Sequence, residues 1–212
     1  MQRPSDSLSL HPLFLLELAW ERYLCRPFVA ALQRLGVRPN AVTAVAFGLK
    51  LSAAALMLAG DYEWAGGVWI IGAIADALDG TLARRLDAET ELGAFLDATG
   101  DRVASVALLM AFAVGVGTTA AYQASLALVA ASLLLAFTRA RAESVGAEAR
   151  IRTLHRSGRS IWLSSALMVG PSVAVMLDRP PSDALLVAFW TLTAVTAAAR
   201  AVVVARTVRR LA

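Results

Sequence analysis

Four aspartates, Asp76, Asp79, Asp97 and Asp101, stand in otherwise strongly apolar surroundings. An ionised side chain at the centre of a membrane helix costs about 2.5–3.5 kcal/mol on insertion scales, so such residues are kept for chemistry or transport. Spacing i, i+3 puts Asp76 and Asp79 on one helix face, and spacing i, i+4 does the same for Asp97 and Asp101. A short connection joins the two stretches. They are therefore antiparallel neighbours, with all four carboxylates at similar depth. Like charges in one low-dielectric pocket repel strongly unless cations neutralise them. Oxygen-only ligands select hard cations: Mg²⁺ first, with Mn²⁺ or Ca²⁺ as substitutes, and two ions suit four carboxylates. A metal-assisted reaction fits this cluster, and so does the proton or ion path of a transporter. Gly80 follows Asp79 directly and Gly93 precedes Asp97 by four, which lets a backbone or a flat ligand approach closely. Arg84, just below the pocket, can hold a diphosphate, from which an ion conductor gains little.

The elements that carry these residues read as membrane helices. The chain is 58% hydrophobic with a mean hydropathy of +0.62, above the roughly 45–50% of a soluble domain. Residues Val103–Thr138 contain no charge, enough for two spans, and Ser160–Leu177 and Ala184–Ala199 are further uncharged runs. The expected fold is an all-α integral membrane protein. Its six transmembrane helices fall near 41–60, 64–86, 92–116, 119–142, 160–178 and 183–205. Gly60-Asp61, Gly115–Thr119 and Asp178–Pro181 supply turns between them. Pro39 and Asn40 open the first span, with Asn40 as its cap. Before it, Pro12–Leu35 mixes apolar residues with Glu17, Glu21, Arg22, Arg26 and Arg34, as an interfacial amphipathic helix does. Met1–Leu10 is polar and carries no cleavable signal pattern. One domain over 1–212 is expected: 1–38 interfacial, 39–212 the six-helix core. Cys25 stands alone, so no intrachain disulfide forms.

Arginines gather before the first span and in the second and fourth connections and the tail, whereas the other connections hold only Arg179. This positive-inside pattern places both termini and the aspartate pocket on the cytoplasmic side of the cell membrane. The basic residues flank spans, so anionic lipid or a phosphorylated substrate suits them better than nucleic acid. Lys50, in mid-span, can snorkel, pair with a carboxylate or meet lipid phosphate.

The run Asp76-Ala-Leu-Asp79-Gly80-Thr-Leu-Ala83-Arg84, followed by Gly93, Asp97 and Asp101, resembles the complete signature of the CDP-alcohol phosphotransferase family. The resemblance extends to the six-span layout and the interfacial N-terminal helix. It implies transfer of a phosphatidyl or related lipid phosphate group from a CDP-linked lipid such as CDP-diacylglycerol to an alcohol, with release of CMP. It further implies that Asp76, Asp79 and Asp97 bind two metals and that Asp101 touches one and acts as general base. Gly80, Ala83, Arg84 and Gly93 would line the donor site, bordered by Asn40 and Thr43, and the enzyme would be a homodimer. No Ser, Cys or His is paired with a base, so direct in-line displacement is expected.

The acceptor is less sharply written. Arg139-Ala-Arg141-Ala-Glu143, Arg156-Ser-Gly-Arg159 and Leu96-Asp97-Ala-Thr-Gly-Asp101-Arg102 resemble the phosphatidylinositol-phosphate and archaetidylinositol-phosphate synthase branch. By that likeness Arg141, Arg156, Arg159 and Arg200 would hold the phosphate of inositol phosphate, as bidentate arginine contacts do well. Val103-Ala104-Ser105 departs from the branch, and Ala75-Asp76-Ala-Leu-Asp79-Gly80 is closer to phosphatidylglycerophosphate synthases. Glycerol 3-phosphate therefore stays open as the alternative acceptor.

Overall fold

The computed structural model describes residues 26–146, 166 and 169–211, and among them it is all helical. A short helix α1 (Arg26–Arg34) leads into α2 (Pro39–Ala59), α3 (Tyr62–Arg85), α4 (Glu91–Val116), α5 (Thr119–Ser144) and α6 (Pro181–Leu211). Five of these, α2 to α6, are long and apolar enough to cross a membrane.

Local chemistry sets the ends. Pro39 takes the first helical position of α2, where its fixed φ fits and its missing N–H costs nothing. The cap position is held by Arg38 in an extended conformation, without a side-chain cap. Asn40 therefore lies inside the first turn, against the capping role expected for it; Pro39 shifts the boundary one residue toward the N-terminus. Gly60 closes α2 at φ 86°, its N–H reaching the carbonyls of Leu56 and Met57, a left-handed cap that glycine adopts without penalty. Only Asp61 then separates it from α3, so α2 and α3 form a tight antiparallel pair. Thr90 caps α4 by accepting from Gly93 N at 3.0 Å, and Thr118 caps α5 by accepting from Ala121 N. Gly115 belongs to α4 rather than to the connection expected there. A Cβ at this position would lie 2.9 Å from the Leu58 carbonyl oxygen, so glycine permits the ends of α2 and α4 to touch.

The core lies where α2, α3, α4, α5 and α6 meet. Phe112 of α4 stacks edge-on against Tyr62 at 6.2 Å and Phe189 at 4.9 Å, the arrangement that ring quadrupoles favour. Met57, Trp69, Leu108, Leu128 and Leu185 fill the space around it. A second cluster of Leu135, Ala142, Ala199 and Val203 joins α5 to α6, and Val29, Val42, Leu78 and Leu82 bind α1 to α2 and α3. Outside, Val45, Ile71, Phe137, Val187 and Trp190 are exposed. An apolar exterior of this extent is a liability in water and the normal state in lipid. The molecule is a multi-pass membrane protein.

The chain runs alternately up and down from α2 to α5, which brings Arg38, Arg84, Arg85, Arg139 and Arg141 to one end. The far part of α6 returns there too: Arg200 Nε donates to Thr138 Oγ1 at 3.2 Å, and Arg210 lies beside Gly146. At 31 residues, α6 is about 46 Å long by its rise per residue, so it outruns the expected 183–205 and the hydrocarbon core. Residues 169–176 are helical and belong to the expected fifth span, which ends in a turn at Leu177 and Asp178; of 160–168 only residue 166, which is helical, is among the described residues. Of the expected interfacial segment, residues 26–38 are described, and they are helical over Arg26–Arg34.

Candidate active site

The carboxylates come from two helices whose neighbouring ends share the basic end of the bundle. Asp76 and Asp79 lie in the second half of α3, and Asp97 and Asp101 in the first half of α4. One oxygen each from Asp76, Asp79 and Asp97 lies within 4.8 Å of the others. That is a radius from which three carboxylates can converge on one hard cation. Asp79 is buried, and its Oδ2 has no hydrogen-bond partner among the described residues. A buried carboxylate oxygen without a donor carries a large desolvation cost, and a divalent ion would remove it. The residues fit a resident metal on this ground.

Asp101 is buried one turn beyond Asp97 and reaches the cluster through Lys50. The Lys50 ammonium donates to Asp101 Oδ1 at 3.1 Å and pairs with Asp76 Oδ1 at 3.0 Å. Of the roles open to Lys50 in the sequence, the structure selects pairing with carboxylates, and with two at once.

α2 supplies the third wall. The Thr43 hydroxyl lies within hydrogen-bonding reach of Asp79 and of the Pro39 carbonyl, 3.2 Å away, and its one proton can go to either acceptor. Asn40 stands beside Gly93: a Cβ on Gly93 would come within 3.9 Å of Asn40 Oδ1 and 2.9 Å of Thr90 Oγ1. Glycine here keeps both the cap and the approach to Asn40 clear. At Gly80 the nearest atom to an added Cβ is Arg84 Nη1 at 3.7 Å, so α3 has an open face beside Asp79. Arg84 is exposed, with Nη2 donating to Thr81 Oγ1 at 3.2 Å, and Ala83 is half-buried next to it. Thr43 and Gly80 thus adjoin Asp79, Arg84 adjoins Gly80, and Asn40 adjoins Gly93.

The expected acceptor residues are divided. Arg141 is exposed in the last turn of α5. Arg200 is tied to Thr138, one turn before Arg141. Arg156 and Arg159 lie outside the described residues. Lys50 is the site residue whose place the sequence left open. Its pairing was readable from hairpin register: about the Gly60-Asp61 turn, position 50 lies across from position 72, one turn from Asp76.

A family model described as CDP-alcohol phosphatidyltransferase matches residues 36–177. The phosphatidylinositol phosphate synthase of Mycobacteroides abscessus is 36% identical over 156 residues, covering 69% of this chain and 70% of that protein. The archaetidylinositol phosphate synthase of Pyrococcus horikoshii is 32% identical over 54% of this chain and 60% of its own length. Among solved structures, the phosphatidylinositol phosphate synthase of Mycobacterium tuberculosis with CDP-DAG bound superposes with a TM-score of 0.72. It is 24% identical and covers 87% of this chain and 93% of that one. The same protein in complex with manganese and citrate gives 0.71 at 24% identity, covering 85% and 87%.

Proposed function

The chain belongs to the CDP-alcohol phosphatidyltransferase family, and we propose that it transfers a phosphatidyl group from CDP-diacylglycerol to inositol phosphate, releasing CMP. The observation that carries this reading is the convergence of Asp76, Asp79 and Asp97, with Asp101 one turn from Asp97 and Gly80 next to Asp79 leaving room beside Arg84. The relatives named as inositol-phosphate-type synthases, bacterial and archaeal, support the acceptor. The transporter reading of the aspartates gives way to the family assignment.

In this mechanism Asp76, Asp79 and Asp97 would hold two Mg²⁺ ions, or Mn²⁺ in their place, with Asp101 touching one of them. Bound metal supplies charge neutralisation at the phosphoryl oxygens and the departing CMP. Asn40, Thr43, Gly80, Ala83, Arg84 and Gly93 seat the cytidine diphosphate. Asp101 takes the proton of the acceptor hydroxyl as its oxygen attacks the phosphatidyl phosphorus. The new P–O bond forms in line with the breaking bond to CMP. Arg141, Arg156, Arg159 and Arg200 bind the acceptor's own phosphate, and the arginine-rich end of the bundle suits that anion. The remaining architecture belongs to the same proposal. Six spans and an interfacial N-terminal helix form one domain in the cell membrane, with termini and site on the cytoplasmic side, and two copies pair as a homodimer.

The test is an acceptor screen in detergent with labelled CDP-diacylglycerol and Mg²⁺. CMP release with inositol phosphate, lost in Asp97→Asn and Asp101→Asn, is the expected result. Turnover with glycerol 3-phosphate instead would move the acceptor and keep the reaction. No CMP with any phosphorylated or free alcohol would refute the transfer.

A further inference from the structure

Lys50 is the single lysine of the chain; every other member of its twenty Lys and Arg residues is arginine. It sits at the middle of α2 and is 3% exposed. A buried ammonium is tolerated only with strong partners, and it has two, Asp76 at 3.0 Å and Asp101 at 3.1 Å. The face of Trp69 lies 6.0 Å from Nζ, a distance at which a ring still attracts a cation.

The route of the side chain is built for it. Gly72 on α3 faces the Lys50 stem, and a Cβ there would sit 3.0 Å from Lys50 Cγ. A compact ammonium on a slim stem passes this gap and can bridge two carboxylates as a point charge, whereas a guanidinium fork is broad and planar. Asp76 has a second claim on it: it is also one of the three aspartates grouped for a metal. One carboxylate thus serves both an internal cation and an external one.

We propose that Lys50 is a positioning residue that competes with the divalent ion for Asp76. Its ammonium neutralises the cluster and keeps Asp76 and Asp101 drawn together until metal takes over Asp76. Arrival of the ion leaves the ammonium to Asp101 alone or displaces it from both. The inference rests on the metal reading of the aspartates given above.

Two measurements at one fixed pH test it. The first compares the unaltered chain with Lys50→Met in detergent, reading Mn²⁺ affinity from the free-ion electron paramagnetic resonance signal and thermal midpoint with EDTA or Mn²⁺. Linked binding events commonly change affinity by about 5–150-fold, and removal of the competitor should tighten Mn²⁺ binding by about tenfold or more. The Lys50→Met midpoint should fall in EDTA and recover toward that of the unaltered chain with Mn²⁺. Equal affinity for Mn²⁺, or weaker, would overturn the competition. No saturable binding by the unaltered chain would sink the metal reading and the competition with it. The second uses the unaltered chain, so it does not depend on the variant folding. Lysine-selective ¹⁵N labelling gives one side-chain ammonium signal. Saturating Mg²⁺ should move that signal and EDTA should restore it. A signal that holds its position while metal binds would overturn the competition by itself.

Discussion

The substitution Gly72→Ala asks whether the close approach of α2 and α3 is set by the room that Lys50 needs. An alanine methyl at this position would stand 3.0 Å from Lys50 Cγ, 3.3 Å from the Ala46 carbonyl oxygen and 3.4 Å from Leu49 Cβ. Two of these atoms belong to the facing helix itself rather than to a mobile side-chain tip, so α2 must shift by tenths of an ångström. Overpacking of this kind costs about 1–3 kcal/mol. Replacing glycine in a helix interior returns about 0.5–1 kcal/mol. Gly67, on the same helix, separates the two effects, because an added Cβ there meets nothing within 4 Å. The propensity gain is common to both variants, and their difference is the packing cost alone. Gly67→Ala should be neutral or more stable than the unaltered chain, and Gly72→Ala should fall about 1–3 kcal/mol below Gly67→Ala. Unfolding by SDS in mixed micelles, followed by circular dichroism, measures both. If the two variants unfold within about 0.5 kcal/mol of each other, the packing between Gly72 and Lys50 does not constrain the helix pair, and the reasoning fails.

Three further outcomes follow from the packing and caps. Gly115→Ala drives a Cβ to 2.9 Å from the Leu58 carbonyl oxygen. It should lower stability in the same micelle titration by about 1–3 kcal/mol; an unchanged midpoint would mean that α2 and α4 do not touch there. Thr90→Ala removes the acceptor for Gly93 N and should cost about 1 kcal/mol, with faster amide exchange confined to the first turn of α4. Asp79→Asn replaces a buried carboxylate with an amide that binds hard cations weakly. It should abolish the stabilisation that Mg²⁺ or Mn²⁺ gives in a thermal melt and leave the EDTA midpoint intact or raised; full metal stabilisation in this variant would remove Asp79 from the metal site.

The parts legible in the sequence are those with short-range causes. Uncharged runs and turn residues located α2 to α6 to within a few residues at most boundaries, because lipid demands long apolar helices and glycine or proline marks where they stop. Helical spacing and one short connection pointed to four converging carboxylates; Asp76, Asp79 and Asp97 do lie together, and Asp101 is linked to them through Lys50. Of the positions misjudged or left open, Gly115 and Lys50 depend on what lies across a helix interface, and Asn40 on its neighbour in the chain. Gly115 looks like turn chemistry in the sequence, but it is a contact residue, since its role is defined by a carbonyl of α2 more than fifty positions away. Asn40 looks like a cap because asparagine favours caps, but the adjacent Pro39 already fixes the helix start. Lys50 is the most telling case. Four aspartates can be grouped by counting along two helices, but their counter-charge sits on a third, and only the register of the α2–α3 pair brings it to Gly72 and Asp76. A buried cation inside a carboxylate cluster changes what the cluster must bind. The aspartates remain a candidate metal site, but one whose first positive charge is already built into the chain.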